Sequence, residues 1–185
     1  ISFFKDIKLM EPGETIEFNL KSVELSSLFL PEQILSEISD AETLRRIFED
    51  AVRSSVKGID SGGIFFSGGT DSTAVLSVVS SEELIRKPLS TFSVMSEKRR
   101  IDEARLINEA VKLGGYRQFS LSIKPEEFFE DLPNLVRIQQ SPVSNLSIYA
   151  QYKLMRLASL ENMGTVIDCQ GGDELFAGYP YFFSS

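Results

Sequence analysis

The sequence contains no histidine, no tryptophan and a single cysteine among its 185 residues. Without histidine, this chain cannot supply a Ser–His–Asp or Cys–His catalytic arrangement, and a zinc site built from the usual ligands is nearly excluded. Cys169 alone cannot form a disulfide within the chain, which fits a reducing compartment, and we expect the cytoplasm. No apolar run approaches the roughly 20 residues that a membrane-spanning helix needs, so we expect no membrane partner.

Basic residues are scarce relative to acidic ones. The 19 Lys and Arg residues against 27 Asp and Glu residues give a formal net charge of −8. Because nucleic-acid backbones are bound through basic patches, we expect no nucleic-acid partner. An apolar share of 42% is typical of a globular protein, and the length suffices for a domain with a sizeable core.

A glycine-rich turn between a short apolar segment and an apolar helix is the most informative stretch. Gly63 to Phe66 is predicted to be a buried strand, and Asp71-Ser72-Thr73 to open the helix and satisfy its free N–H groups with their side chains. In between, the glycines of Ser67-Gly68-Gly69 can take positive φ and let a ligand lie on the backbone. The N–H groups at the start of a helix attract an anion, above all a phosphate.

Asp71 changes what this turn is expected to bind. A carboxylate beside bound phosphates would repel them unless a divalent cation lies between the two. We therefore interpret Asp71 as a Mg²⁺ ligand rather than as a phosphate contact. No Gly-Lys-Ser/Thr follows the glycines, which excludes the P-loop pattern. A plain connecting turn without a ligand is the alternative.

Two stretches of the sequence resemble known motifs. The first, Ser67-Gly68-Gly69-Thr70-Asp71-Ser72, resembles the SGGxDS loop of the ATP pyrophosphatases of the PP-loop superfamily, which split ATP between its α and β phosphates. The second, from Gln170 to Tyr179, resembles the GxGxDELFxGY sequence of the asparagine synthetase group, whose members include enzymes that build β-lactam rings or lasso peptides. The resemblance covers most of the chain from Asp40 to Tyr181.

The resemblance implies an ATP-dependent carbon–nitrogen ligase that works with Mg²⁺. A substrate carboxylate attacks the α phosphorus of ATP, giving an acyl adenylate and pyrophosphate, and an amine then displaces AMP to form an amide. Aspartate is the expected acyl substrate and ammonia the usual amine. Ser141-Pro142 and Ser147-Ile148 lie where this group has a segment that approaches the acyl substrate.

The resemblance also assigns site residues. Metal ligation is expected of Asp71 and Asp173, and a catalytic role of Asp71, Asp173 and Gln170. Gln170 stands where some asparagine synthetases carry a Glu proposed to accept a proton from ammonia, and a neutral amide cannot serve as that base. Other branches of the group do have Gln there. The residues expected to bind the nucleotide are Ser67, Gly68, Gly69, Thr70, Asp71 and Ser72 in the first loop, Phe92, Ser93 and Val94 after the second strand, and Gly171 and Gly172 in the second loop.

Two further readings stay open. The chain could belong to a specialised amidotransferase or a peptide or β-lactam cyclase on the same scaffold, or it could be a nucleotide-binding subunit that needs a partner chain for activity. The expected partners are a small carboxylate substrate and an amine donor, with a glutaminase domain or subunit as the nitrogen source. The oligomeric state is left open, with a homodimer as one candidate.

The order of predicted elements indicates an α/β fold. Strands alternate with helices from Asp40 onward, which predicts an open, mostly parallel sheet with helices on both faces, as in adenine nucleotide alpha hydrolase-like proteins. Ligands of such sheets gather at the carboxyl ends of the strands. A short β-hairpin is expected before it, with strands Ile7 to Met10 and Thr15 to Leu20 around Pro12-Gly13. We expect residues 1–30 to be a remnant of a glutaminase-like domain, and residues 31–185 to form the synthetase domain without the family's C-terminal helices.

Overall fold

The computed structural model describes residues 3–10, 14–18, 23–27, 40–85, 88–95 and 101–179. The chain divides into two compact units, Ile1–Leu44 and Arg45–Ser185. The boundary expected at residues 30 and 31 lies outside the described residues. Within those residues, no helix combines the length and the apolar character needed to cross a bilayer.

The first unit contains a hairpin, and one of its strands agrees with the prediction, since the strand expected from Thr15 to Leu20 forms over Glu14–Phe18. Strand β1 (Glu14–Phe18) pairs antiparallel with β2 (Val23–Ser27), and Phe18 is opposite Val23. The prediction of a strand from Ile7 to Met10 is therefore wrong, since this segment has no regular structure. Pro12-Gly13 is a signal for a turn, and such a signal does not by itself fix which segments pair.

The second unit is built on a parallel sheet, as predicted. Its strands lie in the order β5–β4–β3–β6, and each neighbouring pair is parallel. They are β3 (Gly63–Phe65), β4 (Ser90–Val94), β5 (Arg117–Leu121) and β6 (Val166–Ile167). The helices are α1 (Ala41–Val56), α2 (Thr70–Ser81), α3 (Ile101–Gly114), α4 (Pro125–Gln139), α5 (Leu146–Leu160) and α6 (Gly172–Phe176).

Helices cover both faces of this sheet. Side chains of a strand alternate between the two faces, so Ile64 packs with buried residues of α1, α2 and α3 while Phe65 packs on the other side against α5. Phe92 of β4 also lies on the α5 side, and its ring occupies the space where a side chain at Gly63 would be. The expected open α/β class is confirmed, and the carboxyl ends of β3, β4 and β6 lie next to one another.

Candidate active site

The turn after β3 forms the first part of the candidate site. Gly68 has a φ of 78°, in the left-handed region that favours glycine. The Ser67 hydroxyl accepts a hydrogen bond from the Gly69 N–H at 3.3 Å and lies 3.1 Å from the Ser72 hydroxyl. Ser72 in turn donates to the Gly69 carbonyl at 3.2 Å. Buried Ser72 therefore ties the start of α2 to the turn that precedes it.

The prediction that Asp71, Ser72 and Thr73 cap α2 with their side chains is wrong. The residue at the N-cap is Gly69, which has no side chain, and no side-chain cap hydrogen bond is present in this described segment. Ser72 is occupied within the turn, and Asp71 is directed towards the second loop. The N–H groups of the first turn of this 12-residue helix are therefore available to water or to an anion.

The second loop connects β6 to α6 and touches the first. Gly171 has a φ of 97° and is the N-cap residue of α6. The carboxylate of Asp71 lies against the α carbon of Gly172, and Asp71 Cγ is 2.9 Å from the position that a Cβ would take there. The absence of a side chain at Gly172 thus lets a carboxylate of the first loop enter the second.

The carboxylates of Asp173 and Glu174, which are neighbours in α6, have different surroundings in the turn after this helix. The Asp173 carboxylate lies against the α carbon of Gly178, whose N–H donates to the Asp173 carbonyl at 2.9 Å. The Tyr179 hydroxyl donates to Glu174 Oε1 at 2.7 Å, and this bond lowers the pKa of Glu174 below its usual value. Asp173 lines the cavity described next, whereas Glu174 is held outside it.

A cavity of about 740 Å³ lies where the two loops meet at the carboxyl edge of the sheet. The predicted site residues that line it are Ser67, Gly69, Thr70, Asp71, Ser72, Phe92, Val94, Gln170, Gly172 and Asp173. In the described structure, three others do not: Gly68, Gly171 and Ser93. Ser93 is buried, and its hydroxyl donates to the Phe66 carbonyl at 2.7 Å, so its side chain joins the ends of β3 and β4.

The charged groups of the cavity wall are carboxylates. They belong to Asp71, Asp168 and Asp173, and no Lys or Arg is among the described residues of the wall. Burial raises the pKa of the Cys169 thiol to about 11, and the nearby Asp168 and Asp71 carboxylates contribute to the increase. Such a wall favours cations, and a positive ion would reduce the repulsion between these carboxylates and a polyphosphate.

The comparison with protein families agrees with this geometry. The model of the family described as asparagine synthase matches residues 43–185. This chain belongs to the asparagine synthase family. Its curated relatives include asparagine synthetase [glutamine-hydrolyzing] 1 of Bacillus subtilis, which is 28% identical over 151 residues, 82% of this chain and 22% of that protein. Across the curated relatives it matches, the chain spans between 21% and 35% of their length.

Two solved structures of synthetases also align with this member of the asparagine synthase family. The NH3-dependent NAD synthetase from Campylobacter jejuni has a TM-score of 0.48 and 17% identity, covering 76% of this chain and 61% of that one. The NMN synthetase from Francisella tularensis has a TM-score of 0.44 and 16% identity, covering 65% and 52%.

The residues present fit the Mg²⁺ that asparagine synthase chemistry implies. Among the described residues, no group of three or more Asp, Glu, Cys or His side chains could hold a metal ion by itself. Magnesium, however, is usually bound through one or two carboxylates together with phosphates of the substrate. Asp71 and Asp173 both line the cavity, and neither carboxylate forms a hydrogen bond or ion pair with another described residue. Two such carboxylates, beside a helix start without a side-chain cap, fit the donor set that such an ion takes.

Most of the residues of α5 that line the cavity were not predicted from the sequence. Ser147, which was expected near the acyl substrate, does line the cavity, together with Ala150, Gln151 and Leu154. Gln151 Nε2 donates to Asp168 Oδ2 at 2.6 Å, and the Cys169 N–H donates to Asp168 Oδ1 at 2.8 Å. The three-and-four spacing of the α5 residues marks one face of a helix, but that pattern does not say what the face meets.

A different face of α5, beside the one that lines the cavity, makes polar contacts with α4. The Tyr149 hydroxyl donates to Asp131 Oδ2 at 2.8 Å, and Lys153 Nζ lies 2.7 Å from Glu127 and 3.3 Å from Asp131. Burial raises the pKa of Tyr149 to about 12, with the hydrogen bond to Asp131 as the next cause. Tyr149 is only 1% exposed. This polar contact between helices holds the cavity-lining face of α5 in its orientation.

Proposed function

We propose that this chain is the synthetase domain of an ATP-dependent amide-forming ligase that works through an acyl adenylate. A carboxylate oxygen of the substrate bonds to the α phosphorus of ATP, and the bond from that phosphorus to the bridging oxygen breaks, releasing pyrophosphate. The amine nitrogen then bonds to the acyl carbon and loses a proton, and AMP departs with the electron pair of the broken carbon–oxygen bond. Asparagine formation from aspartate is the default reaction.

The observation that most supports this proposal is the meeting of both motifs in one cavity, with Asp71 lying against Gly172. In this proposal the free N–H groups at the start of α2 and the Ser67 hydroxyl bind the departing pyrophosphate. Asp71 and Asp173 would hold Mg²⁺, which when bound neutralises charge that develops on the pyrophosphate. The ends of β3 and β4, with Phe92 and Val94 in the wall, are proposed to receive the adenine.

Gln170 is given a positioning role in the second step. Its side chain lies in the cavity wall but is a neutral amide, so it can hydrogen-bond to the reacting acyl group and cannot take the proton of the amine. Because relatives are named glutamine-hydrolyzing, we propose ammonia released from glutamine by a separate domain or subunit as the nitrogen source.

A second candidate concerns the acyl substrate. Aspartate carries a carboxylate that does not react, and the described cavity wall has no Lys or Arg to pair with it. A specialised amidotransferase or a cyclase acting on a substrate with a single carboxylate would need no such partner, and this is the second candidate. The same adenylation chemistry would apply in either case.

The test is ATP–pyrophosphate exchange on the purified chain with Mg²⁺, in the presence and absence of aspartate. Exchange that needs aspartate supports asparagine formation, and exchange that needs another carboxylate supports the second candidate. The Asp71→Asn variant is expected to lose exchange by at least about 100-fold, because it removes a metal-binding carboxylate. Asp60→Asn is the matched control, since Asp60 is exposed and outside the cavity wall. Normal exchange by Asp71→Asn would refute the metal assignment.

A further inference from the structure

The backbone conformation at Gly178 does not require a glycine. Its φ lies outside the left-handed region, so an L-residue could adopt its conformation. What excludes a side chain is space: a Cβ would overlap Asp173 Oδ1, would lie 2.9 Å from Asp173 Cγ and would lie 3.1 Å from Asp173 Cα. The glycine is thus explained by the position of one carboxylate.

The surrounding turn fixes the same carboxylate from its backbone. The Gly178 N–H donates to the Asp173 carbonyl at 2.9 Å, which brings the two residues together across the left-handed Ala177. The Tyr179 hydroxyl holds Glu174 outside the cavity. As a result, only one carboxylate of the Asp173–Glu174 pair lines the cavity.

We propose that Gly178 is a positioning residue that sets the side-chain orientation of Asp173 for metal binding, an inference that rests on the proposed function. A methyl group at position 178 displaces the Asp173 carboxylate. Rotation of that carboxylate away from position 178 relieves the overlap with Oδ1 and leaves a tight contact of 3.1 Å with the α carbon of Asp173. The main conflict is therefore with the side chain of Asp173, which has to leave its position in the cavity wall.

The first experiment measures Mn²⁺ binding in the presence of α,β-methylene-ATP, by the electron paramagnetic resonance signal of free Mn²⁺. Gly178→Ala and Asp173→Asn are each expected to weaken Mn²⁺ binding by about 10- to 100-fold, as changes around metal ligands do. The matched control is Gly164→Ala, because Gly164 has open space around its Cβ position and no positive φ. Its Mn²⁺ affinity should equal that of the unchanged protein.

Two results separate this inference from the proposed function. If Asp173→Asn loses Mn²⁺ but Gly178→Ala binds it normally, the positioning role is refuted and the metal assignment stands. If Asp173→Asn binds Mn²⁺ normally, the assignment of Asp173 as a ligand fails, and the positioning role fails with it.

Thermal unfolding keeps the inference testable should Gly178→Ala fold poorly. In an Asp173→Ala background the overlapping carboxylate is gone, so adding Gly178→Ala should lower the melting temperature much less than it does in the unchanged protein. An equal fall in both backgrounds would show that the side chain at position 178 conflicts with something other than the Asp173 carboxylate.

Discussion

The two loops of the candidate site are anchored very differently. The first lies between β3, whose residues are all buried, and α2, a 12-residue helix with buried Leu76 and Val79. The second lies between β6, which has two half-buried residues, and α6, a five-residue helix with none buried. Leu175 and Phe176 of α6 are 80% and 48% exposed.

Because of this difference, we expect substitutions in the two loops to have different effects on stability and on ligand binding. The first loop is an extension of the hydrophobic core, so a change in it is expected to unfold the domain as well as to alter the site. Among the described residues, the second loop is held by the contact of Asp71 with Gly172, by the hydrogen bond from Gln151 to Asp168 and by the turn at Gly178. Changes there should affect ligands much more than folding.

The largest expected effect compares the same substitution at the two loops. Phe66→Ala removes a ring that is 2% exposed and should lower the free energy of unfolding by about 3–5 kcal/mol. Phe176→Ala removes a ring with an edge-on contact to Phe48, at 6.5 Å between centroids, and should cost about 1 kcal/mol. Urea unfolding followed by circular dichroism measures both. Equal losses would show that the second loop is as well anchored as the first.

A smaller effect is expected from the hydrogen bonds within the first loop. Ser72→Ala removes the hydroxyl that donates to Gly69 and lies beside Ser67, which should cost about 1 kcal/mol. Ser77→Ala, on the exposed side of the same helix, changes only helix propensity and should stabilise by a few tenths of a kcal/mol. The difference between the free energies of unfolding of the two variants measures the contribution of the hydrogen bonds in the turn. A Ser72→Ala protein that unfolds like Ser77→Ala would mean that these bonds add no stability.

The smallest effect concerns Cys169 at the start of the second loop. Because its pKa is raised to about 11, roughly one thiol in a thousand is ionised at pH 8, and alkylation by iodoacetamide should be slow. The rate should rise about tenfold per pH unit up to pH 10, whereas in urea it should level off near pH 8.5. The protonated thiol favours the folded state below about pH 8.5, and this contribution is lost as the pH rises towards 11. A native rate that levels near pH 9 would contradict the raised pKa.

Much of the fold was predictable because the second unit follows local rules. The turn signals around β3 and the alternation of strands with helices from Asp40 onward both pointed to the same parallel sheet. One strand of the hairpin was misplaced because a Pro-Gly turn signal does not by itself fix which segments pair.

Only those residues of the candidate site that belong to one of the two motifs could be predicted with a role. The Gly-rich loops were found from sequence, but the contact of Asp71 with Gly172 depends on two loops that meet through the sheet. The pairing of Gln151 with Asp168 joins residues 17 apart on different elements. Helical spacing could not tell the cavity face of α5 from its α4 face, since both recur at three and four residues.

Helix α5 lines the cavity with one set of side chains and contacts α4 with another. The residues that line the cavity are Ser147, Ala150, Gln151 and Leu154, and those that hold α4 are Tyr149, Tyr152, Lys153 and Arg156. The two sets share no member, although Leu154 of the first set also packs against the buried cluster of Phe65 and Phe92. Substitutions that reshape the cavity wall on α5 are therefore expected to leave the polar contact between α4 and α5 in place.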